Sequence, residues 1–281
     1  QWVEEGLVAG VRVDHIDGLR DPAGYIERLR GLWPPGVSPY IVVEKILGAD
    51  ESLPGWPVAG TTGYDFLRDT VGLLVEPTGL ARHAERYQVF TGDAVAPADR
   101  TYEQKKEVLR TLFPAELSAL VRRLEHIAAR DPNGGDLTEA DLRAAIVEIT
   151  ACMPVYRTYA TALPLAGSDR ATFEAALAEA RRRAPAVPDR AFGLLERLAS
   201  GKTAPAASVE WIMRWQQLTG PAMAKGYEDT TLYRYVPLVA VNVVGSEPGS
   251  LEHPPDVATF HRRMAERAGR WPATFNATAT H

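Results

Sequence analysis

The chain has 281 residues, of which 46% are hydrophobic and 24% are charged, and its formal net charge is −5. This composition is typical of a folded globular protein, and the mild acidity with scattered basic residues argues against a nucleic-acid partner. The longest apolar runs, such as YIVVE, are far shorter than the roughly 18 residues that a transmembrane helix needs, so we predict no membrane partner.

The single cysteine, Cys152, cannot form an internal disulfide and lies in an apolar helical pattern. That pattern predicts a buried thiol without a catalytic role, and it fits a reducing compartment. The histidine spacings do not match a metal-binding set, and no glycine-rich phosphate loop follows a strand. We therefore predict neither a metal nor another cofactor.

Two short β-branched runs, at 8–14 and 40–44, predict buried strands of a parallel sheet. Between them, the segment DPAGYIERLRGLWPPGVS carries apolar residues at helical spacing and ends in Pro-Pro-Gly. The order strand, helix, strand indicates a βαβ unit at the start of the chain.

From about residue 101 to 219 the pattern is helix after helix, with breaks that contain proline. One apolar stripe ends at DPNGG, and Thr138 with Asp141 forms a capping-box pattern before another helix. Ser168 and Ser208 are predicted N-caps of two more helices. After this block the run LVAVNVV predicts a return to strand structure.

This organisation predicts three regions: 1–100 as a partial β/α barrel, 101–219 as a helical insertion subdomain, and 220–281 as a return to the barrel. We expect the fold class to be α/β, part of a (β/α)8 TIM barrel with a large α-helical insertion subdomain, where the barrel is what the family resemblance given below implies. The chain begins QWVEEGLVAG and stops in WPATFNATATH without closing signals. We expect it to be an internal segment of a longer polypeptide, whose remainder completes the barrel.

Ionisable residues follow both predicted strands at the point where each strand ends. Asp14 follows GVRV and Glu44 follows YIVV, so two carboxylates are expected at the same edge of the sheet. Retaining glycosyl transfer uses such a pair, one as nucleophile and one as acid and then base. Arg12, two residues before Asp14 on the same strand face, can hold that carboxylate ionised. A partly buried ion pair without catalytic function explains the same spacing.

The stretches GVRVDHIDGLRDP, YIVVEKIL, GTTGYDFL, QQLTGPAMAKGYEDTTLYRY and FNATATH resemble, in this order, the maltooligosyl trehalose synthases of the α-amylase superfamily (glycoside hydrolase family 13). The resemblance covers nearly the whole chain. It implies a cytoplasmic isomerase that acts on maltooligosaccharides, which are α-1,4-glucans. The implied reaction is a retaining intramolecular transglycosylation that converts the reducing-end α-1,4 bond to α,α-1,1, forming maltooligosyl trehalose in trehalose biosynthesis.

By the same resemblance, Asp14 matches the nucleophile, Glu44 the general acid/base and Arg12 the arginine that orients the nucleophile. His15 and Lys45 match positions near the acceptor side and the acid, which implies substrate binding.

Five further residues are implied or candidate sugar contacts. Tyr64 is a candidate wall for stacking on a sugar ring, although core packing is the more common role of any single aromatic residue. Lys225, Glu228 and Asp229 are candidate ligands of sugar hydroxyl groups, or else belong to a solvated turn. His281 resembles the histidine of a motif whose aspartate, the third catalytic carboxylate, would follow it.

Two alternatives stay open. A hydrolase of the same superfamily would keep Asp14 and Glu44 but release free sugar. A non-catalytic glucan-binding or helical scaffold module is the alternative outside enzymes. Because the third carboxylate is not in this sequence, we expect the isolated chain to show little or no turnover.

Overall fold

The computed structural model describes residues 1–246 and 255–279. The chain divides into two compact units, one formed by Gln1–Asp99 with Leu232–His281 and the other by Arg100–Thr231. Within the described residues, no helix is both long enough and apolar enough to cross a bilayer.

The first unit contains a parallel sheet whose described strands lie in the order β1 (Gly10–Val13), β2 (Tyr40–Val43) and β3 (Gly60–Thr61). In the register, Val13 lies opposite Val43, which in turn lies opposite Thr61. The predicted strands at 8–14 and 40–44, and the helix between them, are therefore confirmed.

The connecting helix α1 (Pro22–Arg30) is specified by its own sequence. Pro22 occupies the first turn, where its missing N–H costs nothing, and the Asp21 side chain accepts a hydrogen bond from the Gly24 amide at 3.0 Å. Ile26 is fully buried and packs in one cluster with the side chains of Val13, Ile41 and Val43. This packing covers one face of the sheet. Because side chains alternate along a strand, the residues before and after Val13 and Val43 lie on the other face.

After the sheet, the first unit continues with α2 (Tyr64–Leu73) and α3 (Pro77–Thr91). The second unit consists mainly of helices: α4, which begins just before the boundary, α5, α6, α7, α8 and α9 (Pro97–Thr111, Pro114–Ala128, Glu139–Ala151, Gly167–Arg183, Asp189–Ala199 and Pro205–Met223). A π-helix (Ala224–Thr231) continues α9 to the end of the unit. Five of the described helices, α1, α3, α4, α5 and α9, begin at a proline, which favours the first helical position.

The predicted helix signals in the second unit are partly confirmed. The apolar stripe forms the buried face of α5, and Thr138 with Asp141 forms a complete capping box at the start of α6. The predictions that Ser168 and Ser208 cap helices are wrong. The helix α7 begins one residue before Ser168, and α9 begins at Pro205, so the Ser208 hydroxyl instead donates to the Thr203 carbonyl at 2.7 Å.

The second unit has its own apolar core, centred on α5, α6 and α9. Trp211 and Trp215 are fully buried and stacked, with ring centroids 6.1 Å apart and planes 13° apart. Each indole N–H has a partner: Trp211 donates to the Leu120 carbonyl at 3.0 Å, and Trp215 donates to Thr150 Oγ1 at 2.9 Å. Satisfied donors allow these large side chains to lie in a core without a desolvation penalty.

The predicted strand at LVAVNVV is wrong. After α10 (Leu232–Arg234), Val239–Val241 forms a 3-10 turn, and the Asn242 side chain donates to the carbonyls of Leu232 and Tyr235. Val239 is 72% exposed, so this run lacks the burial that an inner strand requires. The helix α11 (Val257–Arg270) follows, and residues 271–279 form no further regular element.

Candidate active site

Asp14 and Glu44 lie next to each other at the carboxyl edge of the sheet. Each is the first residue after its strand, and the Glu44 amide donates to the Val13 carbonyl at 2.8 Å, so the ladder extends to this row. Because neighbouring strands are about 4.8 Å apart, residues of one row present their side chains to the same space.

The Arg12 guanidinium bridges the two carboxylates. Its Nη1 atom lies 2.7 Å from Asp14 Oδ1, and its Nη2 atom lies 3.2 Å from Glu44 Oε1. The planar guanidinium has fixed N–H donors, and so it holds both acids at a defined separation.

The two carboxyl groups differ in their surroundings. The Asp14 side chain is 71% exposed, whereas that of Glu44 is only 20% exposed. The pKa of Asp14 lies below its ordinary value, first because the Glu44 carboxyl hydrogen-bonds to it and second because Arg12 donates to it. Both contacts favour the ionised form of Asp14.

His15 contacts Glu44 through its backbone. Its amide donates to Glu44 Oε2 at 2.8 Å, and its backbone adopts the left-handed conformation with φ of 42°. The imidazole lies over Gly18, where a Cβ atom would come within 2.4 Å of the ring. A larger residue than glycine at position 18 would therefore require the imidazole to move, a constraint that the sequence pattern did not reveal.

Lys45 lies away from the cleft. Its side chain is fully buried, and its Nζ atom lies 2.8 Å from Glu51 Oε1 and 3.3 Å from Asp17 Oδ2, and it donates to the Ile46 carbonyl at 2.8 Å. These contacts of the Lys45 side chain link the segments that follow β1 and β2. Sequence reasoning missed Asp17 and Glu51 as its partners, although a buried lysine requires carboxylates nearby.

Tyr64 begins α2 and reaches the same edge. Its hydroxyl lies 3.5 Å from Glu44 Oε1, a long contact for a hydrogen bond. The preceding Gly63 has φ of +89°, and a Cβ atom there would lie 2.2 Å from the Phe275 carbonyl oxygen. Glycine is therefore needed to turn the chain from β3 into α2 at this point.

The structure groups Arg12, Asp14, His15, Glu44 and Tyr64 at one edge in the first unit. The other described candidates, Lys225, Glu228 and Asp229, lie in the π-helix of the second unit. His281 lies outside the described residues.

The π-helix has its own side-chain support. Lys225 pairs with Asp229, and Glu228 accepts a hydrogen bond from the Tyr156 hydroxyl. The hydroxyls of Thr230 and Thr231 donate to carbonyls five residues earlier, at 2.7 and 2.9 Å. Such π-helical turns are rare and occur often at functional sites.

In the described part of the chain, no group of three or more His, Cys, Asp or Glu side chains is arranged to hold a metal ion. Among the described residues, this edge offers two carboxyl groups, an arginine, an imidazole and a phenol.

Comparisons with known proteins give a consistent result, although no family model matches the chain. Over its whole length the chain is 37% identical to a protein of Mycobacterium tuberculosis H37Rv that is provisionally named maltooligosyl trehalose synthase. The solved structure of maltooligosyltrehalose synthase from Arthrobacter ramosus matches all of this chain with a TM-score of 0.82 and 36% identity. The resemblance to the maltooligosyl trehalose synthases is confirmed.

A structure of a hypothetical maltooligosyl trehalose synthase from Sulfolobus tokodaii also matches, with a TM-score of 0.70 and 28% identity over 98% of this chain and 32% of its own. The chain covers 34% of both the Mycobacterium protein and the Arthrobacter structure. It thus spans about a third of the length of the synthases that it matches.

Proposed function

We propose that this chain carries the nucleophile and the general acid/base of a maltooligosyl trehalose synthase, an isomerase that works by retaining intramolecular transglycosylation. Asp14 attacks the anomeric carbon of the reducing-end α-1,4 bond, and Glu44 protonates the departing oxygen. The freed glucose turns, and Glu44 removes the proton from its anomeric hydroxyl as that oxygen attacks the glycosyl–Asp14 ester. The product carries an α,α-1,1 bond.

The observation that carries this proposal is the Arg12 bridge between Asp14 and Glu44. It joins two carboxyl groups at one edge of a parallel sheet, and the lowered pKa of Asp14, due first to the Glu44 hydrogen bond, suits an ionised nucleophile. Retaining enzymes hold their carboxyl groups roughly 5 to 5.5 Å apart. Here Arg12 lies within 2.7 Å of Asp14 and 3.2 Å of Glu44, so one guanidinium holds both groups near each other before a sugar enters.

The sheet order and the crossover helix also support the proposal that the three strands belong to a (β/α)8 barrel, with Arg100–Thr231 as a helical insertion. In this proposal the protein is cytoplasmic and the rest of the polypeptide completes the barrel. Lys45 acts as a positioning residue and not as a sugar ligand, because its side chain is buried between carboxylates. The contributions of Lys225, Glu228, Asp229 and His281 to sugar binding remain predictions.

The test uses the complete reading frame that encodes this chain, incubated with maltopentaose. We expect the reducing end to disappear without release of glucose, because the bond is moved and not hydrolysed. Asp14→Asn and Glu44→Gln should each lower the rate by about a thousandfold or more. Release of free sugar as the main product would indicate the hydrolase alternative, and sugar binding without turnover would indicate a binding module.

The nucleophile can be identified directly. A fluorinated glucosyl fluoride that forms a long-lived glycosyl-enzyme should add its sugar mass to the peptide that contains Asp14, and not in Asp14→Asn. Labelling of a different carboxylate would contradict the assignment.

A further inference from the structure

Thr62 continues the row of Asp14 and Glu44 across the sheet. Val43 pairs with Thr61, and the Thr62 amide donates to the Val43 carbonyl at 3.0 Å, so the parallel register extends by one residue beyond β3. This register sets Thr62 beside Glu44, just as Glu44 lies beside Asp14.

The side chain of Thr62 belongs to the same face of the sheet as that of Glu44. Val13, Ile41 and Val43 pack against α1 on the opposite face. Because side chains alternate along a strand, the residue after Val43 and the residue after Thr61 point away from that core. The contact of Arg12 with Glu44 at 3.2 Å shows that residues of this second face reach one another.

The hydroxyl of Thr62 is buried and unsatisfied. The residue is only 8% exposed, and its Oγ1 atom has no hydrogen-bond partner among the described residues. The adjacent Thr61 differs, since its hydroxyl donates to Asp65 Oδ1 at 3.0 Å and accepts from the Gly63 amide at 3.1 Å. Buried polar groups are nearly always paired, so the exception at Thr62 points to a partner that enters with a ligand.

We propose that Thr62 is a sugar-binding residue, whose Oγ1 atom hydrogen-bonds a hydroxyl group of the glucose unit that occupies the cleft next to Glu44. This inference rests on the proposed function, which places an α-1,4-glucan at that edge. A sugar hydroxyl suits Thr62 because both groups donate and accept. The hydroxyl of Tyr64 contacts Glu44 at only 3.5 Å, a contact weak enough to give way when a sugar enters.

The experiment compares Thr62→Val, which keeps the shape and removes the hydroxyl, with Thr62→Ser, which keeps the hydroxyl. Binding of maltopentaose to the full chain is measured by calorimetry. We expect Thr62→Val to bind about tenfold more weakly and Thr62→Ser to bind within about twofold of wild type. Thr62→Val should unfold at no lower temperature than wild type, because the lost hydroxyl is unpaired in the free protein.

The structure offers a matched control in Thr70 on α2, whose Oγ1 atom is likewise buried and without a hydrogen-bond partner in the described chain. Thr70→Val removes the same group at a place outside the row of Asp14 and Glu44, so its affinity should equal that of wild type. A general effect of removing a buried hydroxyl would weaken both valine variants alike and overturn the proposal.

Equal affinities of wild type and Thr62→Val would overturn the role of Thr62, as would a Thr62→Ser variant as weak as Thr62→Val. A wild-type chain that does not bind maltopentaose would overturn it as well. The proposed function is tested separately, by analysing the products that the protein encoded by the complete reading frame forms from maltopentaose. Binding that depends on the Thr62 hydroxyl, without formation of an α,α-1,1 bond, would reject the reaction and keep the sugar contact.

Discussion

Replacing Lys105 by methionine should stabilise the helical unit in a way that depends on pH. Lys105 is fully buried on α4, and its Nζ atom donates to the Met153 carbonyl at 2.8 Å. Burial lowers the pKa of its ammonium group from 10.5 to about 8, and the nearby Cys152 thiol offsets this slightly. The chain also packs closely here, since a Cβ on Gly226 of the π-helix would lie 2.8 Å from the Lys105 Cα.

The magnitude follows from the difference in proton binding between the two states. Below pH 8 the lysine is charged both folded and unfolded, and the folded state carries the full desolvation cost. A shift from 10.5 to about 8 corresponds to roughly 3 kcal/mol. Between pH 8 and 10.5 the unfolded chain binds the extra proton, so the stability of the wild type rises with pH by about that amount.

The Lys105→Met variant lacks this titration. Its stability relative to wild type should therefore fall by about 3 kcal/mol between pH 7 and 10.5. Loss of the hydrogen bond to Met153 shifts the comparison by a constant of about 1 kcal/mol and does not change the slope. Lys105 lowers the pKa of Cys152 slightly, but burial raises that pKa to about 12, so the folded thiol stays protonated over this pH range with or without the lysine.

The assay is urea unfolding at pH 7, 8.5 and 10.5, followed by far-ultraviolet circular dichroism, with the transition of the helical unit fitted separately. Lys202→Met in the same unit is the control, because the Lys202 side chain is exposed and remains in water in both states. A difference between Lys105→Met and wild type that stays constant across these pH values would refute the reasoning.

Two further predictions concern glycine and a buried ion pair. Gly63→Ala should lower the free energy of unfolding by more than about 3 kcal/mol, because its Cβ would lie 2.2 Å from a carbonyl oxygen. Gly36→Ala is the control, because Gly36 has a similar φ of +88° but open space around it. It should cost only about 1 to 2 kcal/mol of backbone strain when both variants are measured by urea unfolding. Arg197→Met should cost about 3 to 5 kcal/mol, because Asp131 is 5% exposed and bound by both Nε and Nη2 at 2.9 Å. Arg197 is the main cause of the lowered pKa of Asp131, so this cost, measured by urea unfolding at decreasing pH, should shrink as acid protonates the carboxylate. The exposed Arg190→Met is the control and should cost less than about 0.5 kcal/mol in the same measurements.

The sequence predicts the pairing of Asp14 and Glu44 because each follows a β-branched run, and parallel strands end at a common edge. The role of Lys45, the residue after Glu44, is predicted less well. Glu44 and Lys45 are consecutive at the end of a strand, so their side chains leave in opposite directions, one toward the cleft face and one into the buried cluster with Asp17 and Glu51. The resemblance made Lys45 a sugar ligand, whereas the strand period itself favours a structural role.

The failure at LVAVNVV has a different cause. A β-branched run predicts a strand only if a neighbouring strand pairs with it, and pairing is not visible in local sequence. Here the Asn242 side chain donates to two carbonyls of the preceding turn and folds the segment on itself. The proline-initiated helices and the Thr138 capping box were predictable because their signals are satisfied within one turn of the chain.

The placement of Arg12 lets one guanidinium serve both carboxyl groups during the proposed reaction. In the free enzyme its Nη1 atom lies 2.7 Å from Asp14 and its Nη2 atom 3.2 Å from Glu44, so one cation faces both acids. When Asp14 forms the proposed ester it loses its charge, and Glu44 becomes a carboxylate at the same step by giving up its proton. The negative charge thus moves from one arm of the guanidinium to the other, and the positive group that stabilises it does not have to move.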